Sequence, residues 1–498
     1  MDRINLMVLA PHEDDELAIA GPVIYQALQN DMSVKVVFST NGDYYKHEGP
    51  IRIQEAIRAL GVLGLKQEDI IFLGYGDQTQ SIHLYNAKEN EVISSHNGSC
   101  HTYGIEGVDE FAMQENGEHH TYTRANYKKD IKAVLKKYMP EIVITTDWDN
   151  HMDHVALSLM VDECLGELFE VEKEYKPLVL KAQAYTGKWE GNEDYHSTGN
   201  VTEHVNITNG TEWEHPLNKW EDRLRFLVPE ACRTSLLRDN ILYKAACEYK
   251  SQNVDLKAIQ FINDDLIFWR RHTEGLLYHA KMRASSGNVA FLNDFKCVDC
   301  SDIAHDYRNY NQSVWITDET DNEKCVEIEL ETEATIKEMH FYENPAETCK
   351  IQNVSLTFDN NVKITTGELH HDGSKTVIKL PEMPPVRRIS LVVDAWEGQQ
   401  IGLTEIEAYD RILTIEEYQM PLPVWDQTKM ITKTMSWRNE LEKRYIGIVK
   451  YARGRLWPDR YFLMKRYDSL KVSDNILKVY WMYLRFVVEK VLEKVRRK

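Results

Sequence analysis

The sequence predicts an α/β protein in three parts: a mostly parallel sheet with helices on both faces, an all-β sandwich and a helical C-terminal tail. Strand-like and helix-like segments alternate over about the first 250 residues, which is the pattern of a parallel sheet. From about residue 288, short strand-like runs are separated by turn residues, and after residue 409 the chain becomes basic, aromatic and helix-like. In a chain of 498 residues, these changes favour two or three domains.

The first part opens with a short apolar run suited to a strand that is buried on both faces, and residues with helical apolar spacing follow it. Leu63 and Gly64 close the second predicted helix. The alternation predicts a Rossmann-like sheet. The predicted strands are Ile4–Ala10, Val34–Phe38, Ile70–Leu73 and Ile142–Thr145, and the predicted helices are Glu16–Asn30, Ile51–Leu65 and Asp130–Tyr138.

Residues 77–125 interrupt this alternation and are rich in Gly, Asn, Ser and His. A loop of this length in a compact domain is usually functional or an insertion. Surface positions are the default for its histidines, with contact to substrate or metal as the alternative; they are His83, His96, His101, His119 and His120. Large aromatic side chains are mostly buried, so core positions are predicted, ahead of sugar-stacking ones, for Trp189, Trp213, Trp220 and Trp269.

The second part shows the short runs and turns of an all-β sandwich. Its predicted strands are Val326–Leu330, Ile336–Tyr342, Val354–Phe358, Thr376–Leu380 and Arg388–Val393. We therefore expect three domains, at residues 1–285, 286–410 and 411–498.

Composition excludes some functions. The formal net charge is −20, which argues against a general nucleic-acid binder because phosphate contacts need a basic face. The N-terminus has no signal-peptide pattern, and no apolar run reaches the ~18 residues of a spanning helix; a cytoplasmic location is expected. The eight cysteines are expected to be reduced. Cys297 and Cys300 form a lone CxxC without a second pair, so a metal or redox role is the minor alternative.

Two clusters of polar residues each follow a predicted strand, at the sheet edge where open α/β folds build their sites. The first is His12-Glu13-Asp14-Asp15-Glu16 and the second is His151-Met152-Asp153-His154. Imidazole and carboxylate groups, here His12 and Asp15, are ordinary zinc ligands, and three protein ligands with one open position make a catalytic site. Asp14 cannot share the ion with Asp15, so it is placed to accept a proton from water.

Each cluster alone has a simpler interpretation. The first could be an acidic helix start, and the second a solvated loop. Both together, each at the end of a strand, favour a metal site. A dinucleotide site is disfavoured because the turn lacks Gly-x-Gly-x-x-Gly and its acids would repel phosphate.

With these motifs the chain resembles the PIG-L/LmbE-like family of zinc-dependent N-acetylglucosaminyl deacetylases, over roughly residues 4–280. The likeness extends to Arg52-x-x-Glu55, to Leu73–Asp77 and weakly to Tyr249–Gln252. It departs at Glu13, where the family has proline, and in the 77–125 insertion, which leaves the substrate open. The resemblance implies Zn²⁺ on His12, Asp15 and His154, with Asp14 as general base, His151 as proton donor or oxyanion stabiliser, Asp153 orienting His151, and Arg52 contacting substrate.

The sandwich resembles a discoidin-like, galactose-binding-type domain. The cues are Ser313-Val314-Trp315 and the closing run Ile401–Tyr409. Sandwich folds serve many ends, so glycan binding and a packing or spacer role are equally open.

The expected function is hydrolysis of the N-acetyl group of an N-acetylglucosamine-type sugar, in glycan or glycolipid biosynthesis. One alternative is a catalytically idle carbohydrate-binding protein. The other is a zinc amidohydrolase that acts on a different N-acyl substrate.

The tail differs from the rest of the chain in charge. Residues 421–498 contain 19 basic and 8 acidic residues, net +11, whereas the remainder carries −31. The segment Ile476–Val495 predicts one helix with a polar stripe that contains Lys478, Arg485 and Glu489. A basic amphipathic helix is typical of peripheral contact with an anionic membrane, here on the inner face. The alternative is that the tail docks on the protein's own acidic body.

Overall fold

The computed structural model describes most of the chain. The described residues are 3–45, 47–77, 80–149, 151–184, 189–190, 203–204, 217–234, 236–258, 261–296, 314–345, 349–414, 437–455, 463, 466–467, 469 and 476–496. The predictions for Cys297, Cys300, Trp213 and Ser313 lie outside them.

The first part is a seven-stranded sheet with the order β3-β2-β1-β4-β5-β9-β8. Strands β1 to β5 pair in parallel, and β9 and β8 add antiparallel strands at one side. The first five strands are buried along nearly their whole length, as their continuous apolar sequence requires. The strands are β1 Leu6–Ala10, β2 Val34–Thr40, β3 Ile70–Tyr75, β4 Ile142–Thr146, β5 Leu178–Ala182, the separate pair β6 Trp189–Glu190 and β7 Glu203–His204, β8 Leu224–Leu227 and β9 Asp265–Arg271.

Helices pack on the sheet through two apolar clusters. Gly64 ends the second helix at φ +103°, as its sequence position predicts. The helices are α1 Asp15–Gln29, α2 Gly49–Leu63, α3 Gln80–Asn86, α4 Phe111–Asn116, α5 Arg124–Tyr138, α6 Met152–Val171, α7 Ile241–Ala246 and α8 Val254–Lys257. The 77–125 segment is therefore only partly a loop, because α3 and α4 lie within it. Trp269 is buried, as predicted.

The sandwich consists of a five-stranded sheet, β10-β12-β17-β14-β15, and a four-stranded sheet, β11-β18-β13-β16. Strand β10 pairs with β12, so the sandwich begins before the predicted boundary at residue 286. The sequence did not reveal this because β10 is only four residues long. The strands are β10 Lys281–Ala284, β11 Trp315–Ile316, β12 Cys325–Ala334, β13 Glu338–Glu343, β14 Cys349–Phe358, β15 Lys363–Thr365, β16 Thr376–Lys379, β17 Val386–Gly398 and β18 Gly402–Tyr409.

The two central strands of the four-stranded sheet are buried on both faces. Every residue of β13 and of β18 is buried, although one face of each strand already packs inside the sandwich. The outer face lies against the first part, where Arg270 and His272 line one side of a cavity of about 180 Å³ and His340, Tyr342 and Glu405 line the other. This sheet therefore serves as a packing surface.

Two helices of the tail, α9 Trp437–Arg455 and α10 Ile476–Arg496, are described. Helix α10 confirms the predicted helix to within a residue. No helix among the described residues combines the length and apolar character that crossing a membrane requires.

Candidate metal centre

Strand pairing brings the two polar clusters together. Strands β1 and β4 are parallel neighbours, with Leu9 opposite Thr145, so the loops that follow them meet at the carboxyl edge of the sheet. Helix α1 starts at Asp15 directly after the first cluster. The His151 side chain caps α6, where its Nδ1 accepts a hydrogen bond from the Asp153 backbone N–H at 3.2 Å.

The three predicted metal ligands converge in this arrangement. Asp15 Oδ2 lies 3.0 Å from His12 Nδ1 and 3.1 Å from His154 Nε2. The ring of His151 lies edge-on to His12 with centroids 4.6 Å apart, and ligand atoms of His12, His151 and His154 all fall within 4.8 Å of one another. The residues share one buried site at the sheet edge.

A further set of aspartates surrounds the imidazoles. His12 Nε2 lies 3.0 Å from Asp153 Oδ2 and 3.1 Å from Asp77 Oδ1, and His154 Nδ1 lies 2.8 Å from Asp149 Oδ2. The Asp153 carboxylate thus contacts His12, and its predicted orienting role toward His151 stays a prediction. Neither Asp77 nor Asp149 was given a role from the sequence, although each follows a strand at the carboxyl edge, which was the available signal.

Electrostatics at the site favour bound positive charge. Burial alone would lower the pKa of His154, but Asp149 and Asp15 outweigh it and raise that pKa to about 10. Burial is likewise outweighed at His12, where Asp77, Asp15 and Asp153 raise the pKa. The two imidazoles in turn hold the pKa of Asp15 well below its usual range, against the effect of burial.

This donor set fits a divalent metal ion. Imidazole nitrogens and carboxylate oxygens are ligands of Zn²⁺, and buried charge of one sign is costly unless it is compensated. The acidic surroundings that hold protons on His12 and His154 would equally hold a cation, with release of those protons. The carboxylates that contact the other imidazole nitrogens would orient the rings.

Asp14 differs from its neighbours because its side chain is 21% exposed, against 6% for Asp15. Its backbone has φ +125°, an unusual conformation for a residue with a side chain. Arg52 Nη2 donates to Asp14 Oδ1 at 3.0 Å and to the Glu13 carbonyl oxygen at 2.7 Å. Arg52 therefore holds the turn that carries Asp14, and its predicted contact with substrate stays a prediction.

Close packing surrounds this turn. Glu13, which replaces the family's proline, is buried, and burial raises the pKa of its carboxyl to about 8. Gly42 has φ +56°, and a Cβ there would lie 2.4 Å from Arg52 Nε and 2.5 Å from Glu13 Oε2. Any larger residue at position 42 would displace Arg52 and, through it, Asp14.

The segment Tyr249–Gln252, where the sequence resemblance is weak, contacts residues next to the same site. Tyr249 donates its hydroxyl to Glu16 at 2.6 Å, and Ser251 donates its hydroxyl to Glu55 at 2.6 Å. Tyr249 and Ser251, though distant in sequence from the first motif and from Arg52-x-x-Glu55, therefore contact residues of both motifs.

The 77–125 segment forms one wall beside the site. Asp43 accepts hydrogen bonds from the Asp77 backbone N–H at 2.9 Å, from Asn97 at 2.8 Å and from the Tyr103 hydroxyl at 2.9 Å. The ring of Tyr44, the next residue, stacks on His96 with centroids 4.0 Å apart and an interplanar angle of 9°. The aromatic pair is thus connected to the site through Asp43 and Asp77, because Asp43 adjoins Tyr44 and Asp77 contacts His12.

The remaining histidines of this segment have varied surroundings. His120 is buried and lies 2.9 Å from Asp130, so a surface position is wrong for it. His119 pairs with Glu110 at 2.6 Å, and His96 and His101 are exposed.

Comparisons with known proteins give two family matches. Residues 7–165 match the PIG-L family, described as GlcNAc-PI de-N-acetylase, and residues 276–409 match a domain of unknown function, DUF7402. Among curated proteins, no relative matches this chain.

Solved structures resemble parts of the chain. A conserved protein of Thermus thermophilus is 15% identical over 54% of this chain and 95% of its own, with TM-score 0.32. The N,N'-diacetylchitobiose deacetylase of Pyrococcus horikoshii is 20% identical over 35% and 53%, with TM-score 0.23. A carbohydrate-binding module (CBM32) from a Clostridium perfringens family 31 glycoside hydrolase is 14% identical over 27% and 97%, with TM-score 0.21.

Proposed function

We propose that the PIG-L family domain at residues 7–165 makes this chain a zinc-dependent hydrolase that removes the N-acetyl group from an N-acetylglucosamine-type sugar. The observation that carries the proposal is the convergence of His12, Asp15 and His154 at one buried site, with the partly exposed Asp14 beside it. A metal ion held by these three residues supplies a Lewis acid for the acetyl carbonyl and makes water more acidic.

Asp14 acts as the general base. Water adds to the acetyl carbonyl carbon while the Asp14 carboxylate takes its proton. The C–N bond then breaks while the sugar nitrogen takes up the proton held by Asp14, and acetate and an amino sugar are released. The hydrogen bond from Arg52 holds the Asp14 carboxylate in position.

His151 stabilises the oxyanion as a neutral hydrogen-bond donor. Burial, together with repulsion from His12, lowers the pKa of His151 to about 4, so the ring is neutral near pH 7. Its Nδ1 accepts from the Asp153 backbone, which leaves the ring proton on Nε2. That N–H is a donor for the developing negative charge.

The stacked pair of Tyr44 and His96 offers an aromatic surface for a sugar ring. Aromatic side chains combine apolar area with polar edges, as a sugar face requires. Tyr44 follows Asp43, which is hydrogen-bonded to Asp77 beside His12, and His96 belongs to the 77–125 segment, so this segment contributes to the choice of sugar.

An acetate-release screen tests the function. Zinc-loaded protein is offered free, nucleotide-linked and lipid-linked N-acetyl sugars, and the same sugars with longer N-acyl groups, with chelator-treated protein as the control. We expect release of acetate from at least one N-acetylglucosamine derivative and none after chelation. Release of the acid only from the sugars with longer N-acyl groups would replace the acetyl group of the proposed substrate with a different acyl group. Binding of sugars without any release would make the chain an idle carbohydrate-binding protein.

A further inference from the structure

Each tail helix has two apolar faces, one that packs on other parts of the protein and one that is exposed. In α10, Val479 and Met482 are buried in a small cluster with Ile51 of helix α2. On the opposite side of α10, residues at spacings of four, three, four and four are exposed by 51–76%: Leu477, Trp481, Leu484, Val488 and Leu492. Helix packing on the protein body accounts for the first face and leaves the second without a role.

Helix α9 repeats this division. Ile446 packs on the core of the first part, and Glu442 accepts hydrogen bonds from the backbone N–H groups of Leu237 at 2.8 Å and Arg238 at 3.0 Å. Its other side presents large apolar residues that are 56–69% exposed: Trp437, Leu441, Tyr445 and Ile448. Contiguous exposed apolar surface on this scale marks an interaction site.

Basic residues border both exposed faces. On α9, Arg438 lies over the Trp437 ring at 5.5 Å, and the Arg444 side chain is 72% exposed while it pairs with Glu440 at 3.0 Å. On α10, Lys478 and Arg485 lie at the edge of the apolar face by their helical spacing, and the Arg485 side chain is 57% exposed while it pairs with Glu489 at 2.9 Å. Exposed Trp and Tyr beside Arg and Lys suit the headgroup layer of a membrane with anionic lipids.

We propose that the exposed faces of α9 and α10 together form a docking surface for an anionic lipid bilayer. Charge argues against a symmetric contact between the tails of two copies, because residues 421–498 carry +11 and would repel each other. Anionic headgroups are complementary to the same positive charge. The sequence left open whether the tail contacts a membrane or docks on the protein's own body. The two are compatible, because they use opposite sides of the same helices.

The inner side of α10 and the metal centre are connected through helix α2. Ile51 packs against the cluster that contains Val479 and Met482, and the next residue, Arg52, holds Asp14. A bilayer on the outer face would therefore lie near the mouth of the site, where a sugar carried on a lipid could reach it. This last step rests on the proposed deacetylase function, whereas binding to the bilayer does not.

Vesicle flotation tests the proposal with full-length protein. Vesicles of phosphatidylcholine alone are compared with vesicles that also contain phosphatidylserine. The face variant is Leu477→Ser/Trp481→Ser/Leu484→Ser. The matched control, Val171→Ser/Val377→Ser/Ile412→Ser, removes three apolar residues that are 38–65% exposed outside the two tail helices. Because all six side chains are exposed, neither variant should alter thermal unfolding.

We expect wild type and control to float with anionic vesicles, less at high salt, and the face variant to bind about tenfold or more weakly. Absence of flotation at low salt, or equal flotation of the face variant, would overturn the proposal. So would a change from dimer to monomer in the face variant, because the surface would then be an interface between copies. Acetate release from a soluble substrate should be the same in all three proteins, which separates this test from that of the function.

Discussion

Two buried clusters of histidine and carboxylate lie in different parts of the molecule. One is the metal centre at the carboxyl edge of the parallel sheet. The other, here called the interface cluster, consists of Glu338, His340, Tyr342 and Glu407 on the outer face of the four-stranded sheet. His340 lies 2.8 Å from Glu338 and 3.0 Å from Glu407, and the Tyr342 hydroxyl donates to Glu407 at 2.8 Å.

The clusters differ in how charge is balanced. In the interface cluster one imidazole lies between two glutamates, and tyrosine hydroxyls contribute further hydrogen bonds to Glu407. In the metal centre, His12 alone meets three aspartates and shares Asp15 with His154. The presence of His, Asp and Glu together therefore does not identify a site. The candidate metal centre differs in that more aspartates surround its imidazoles and the partly exposed Asp14 lies beside them.

The largest effect should come from removing two ligands of the metal centre. We expect His12→Ala/Asp15→Ala to lose bound zinc and to reduce acetate release to background, because the remaining donors cannot complete a site. Metal content by elemental analysis and acetate release measure this. The matched control is Glu338→Gln/His340→Gln, which should retain both per folded molecule. Wild-type acetate release from the first variant would refute the mechanism.

Asp14→Asn should separate catalysis from metal binding. We expect turnover to fall by about 10²–10⁴, the usual contribution of a general base, while zinc content stays unchanged because Asp14 is not a ligand. Single-turnover acetate release and metal analysis on the same preparation measure both. Loss of zinc in this variant would show that Asp14 and Asp15 have the opposite roles.

The smallest effect concerns pH and the interface cluster. Burial alone would lower the pKa of His340, but Glu338 and Glu407 outweigh it and raise that pKa. Protonated His340 therefore stabilises the fold fully below about pH 6.5, its unfolded value, and this contribution is lost as pH rises through the raised folded value. His340→Gln should lose about 1–3 kcal/mol below that range and show a flatter decline above it.

Thermal unfolding midpoints of both proteins over a pH series measure this difference. Metal content serves as the control, since it should not respond to His340→Gln. Parallel pH profiles of variant and wild type would mean that His340 does not carry the charge that its two glutamates favour.

The sequence predicted what local pattern determines. Strand and helix positions around β1, β4 and α10 followed from apolar periodicity, and the two motifs placed His12, Asp15 and His154 at one edge. Asp77 and Asp149 could not be assigned a role because each stands alone after its strand. The burial of the outer face of β13 and β18 also could not be predicted from the sequence. Its polar residues resemble a solvent-facing strand, and only tertiary packing reveals their neighbours.

The backbone of Asp14 has a consequence for how this protein would evolve. A side chain at φ +125° costs on the order of 1–3 kcal/mol relative to glycine, so the chain forgoes stability at the residue we assign as base. Selection for heat resistance alone would favour release of this strain by Asp14→Gly, at the loss of the ion pair with Arg52, whereas acetate release would fall by about 10²–10⁴ without the general base. Persistence of aspartate at this position in laboratory lineages thus reports whether acetate release is under selection.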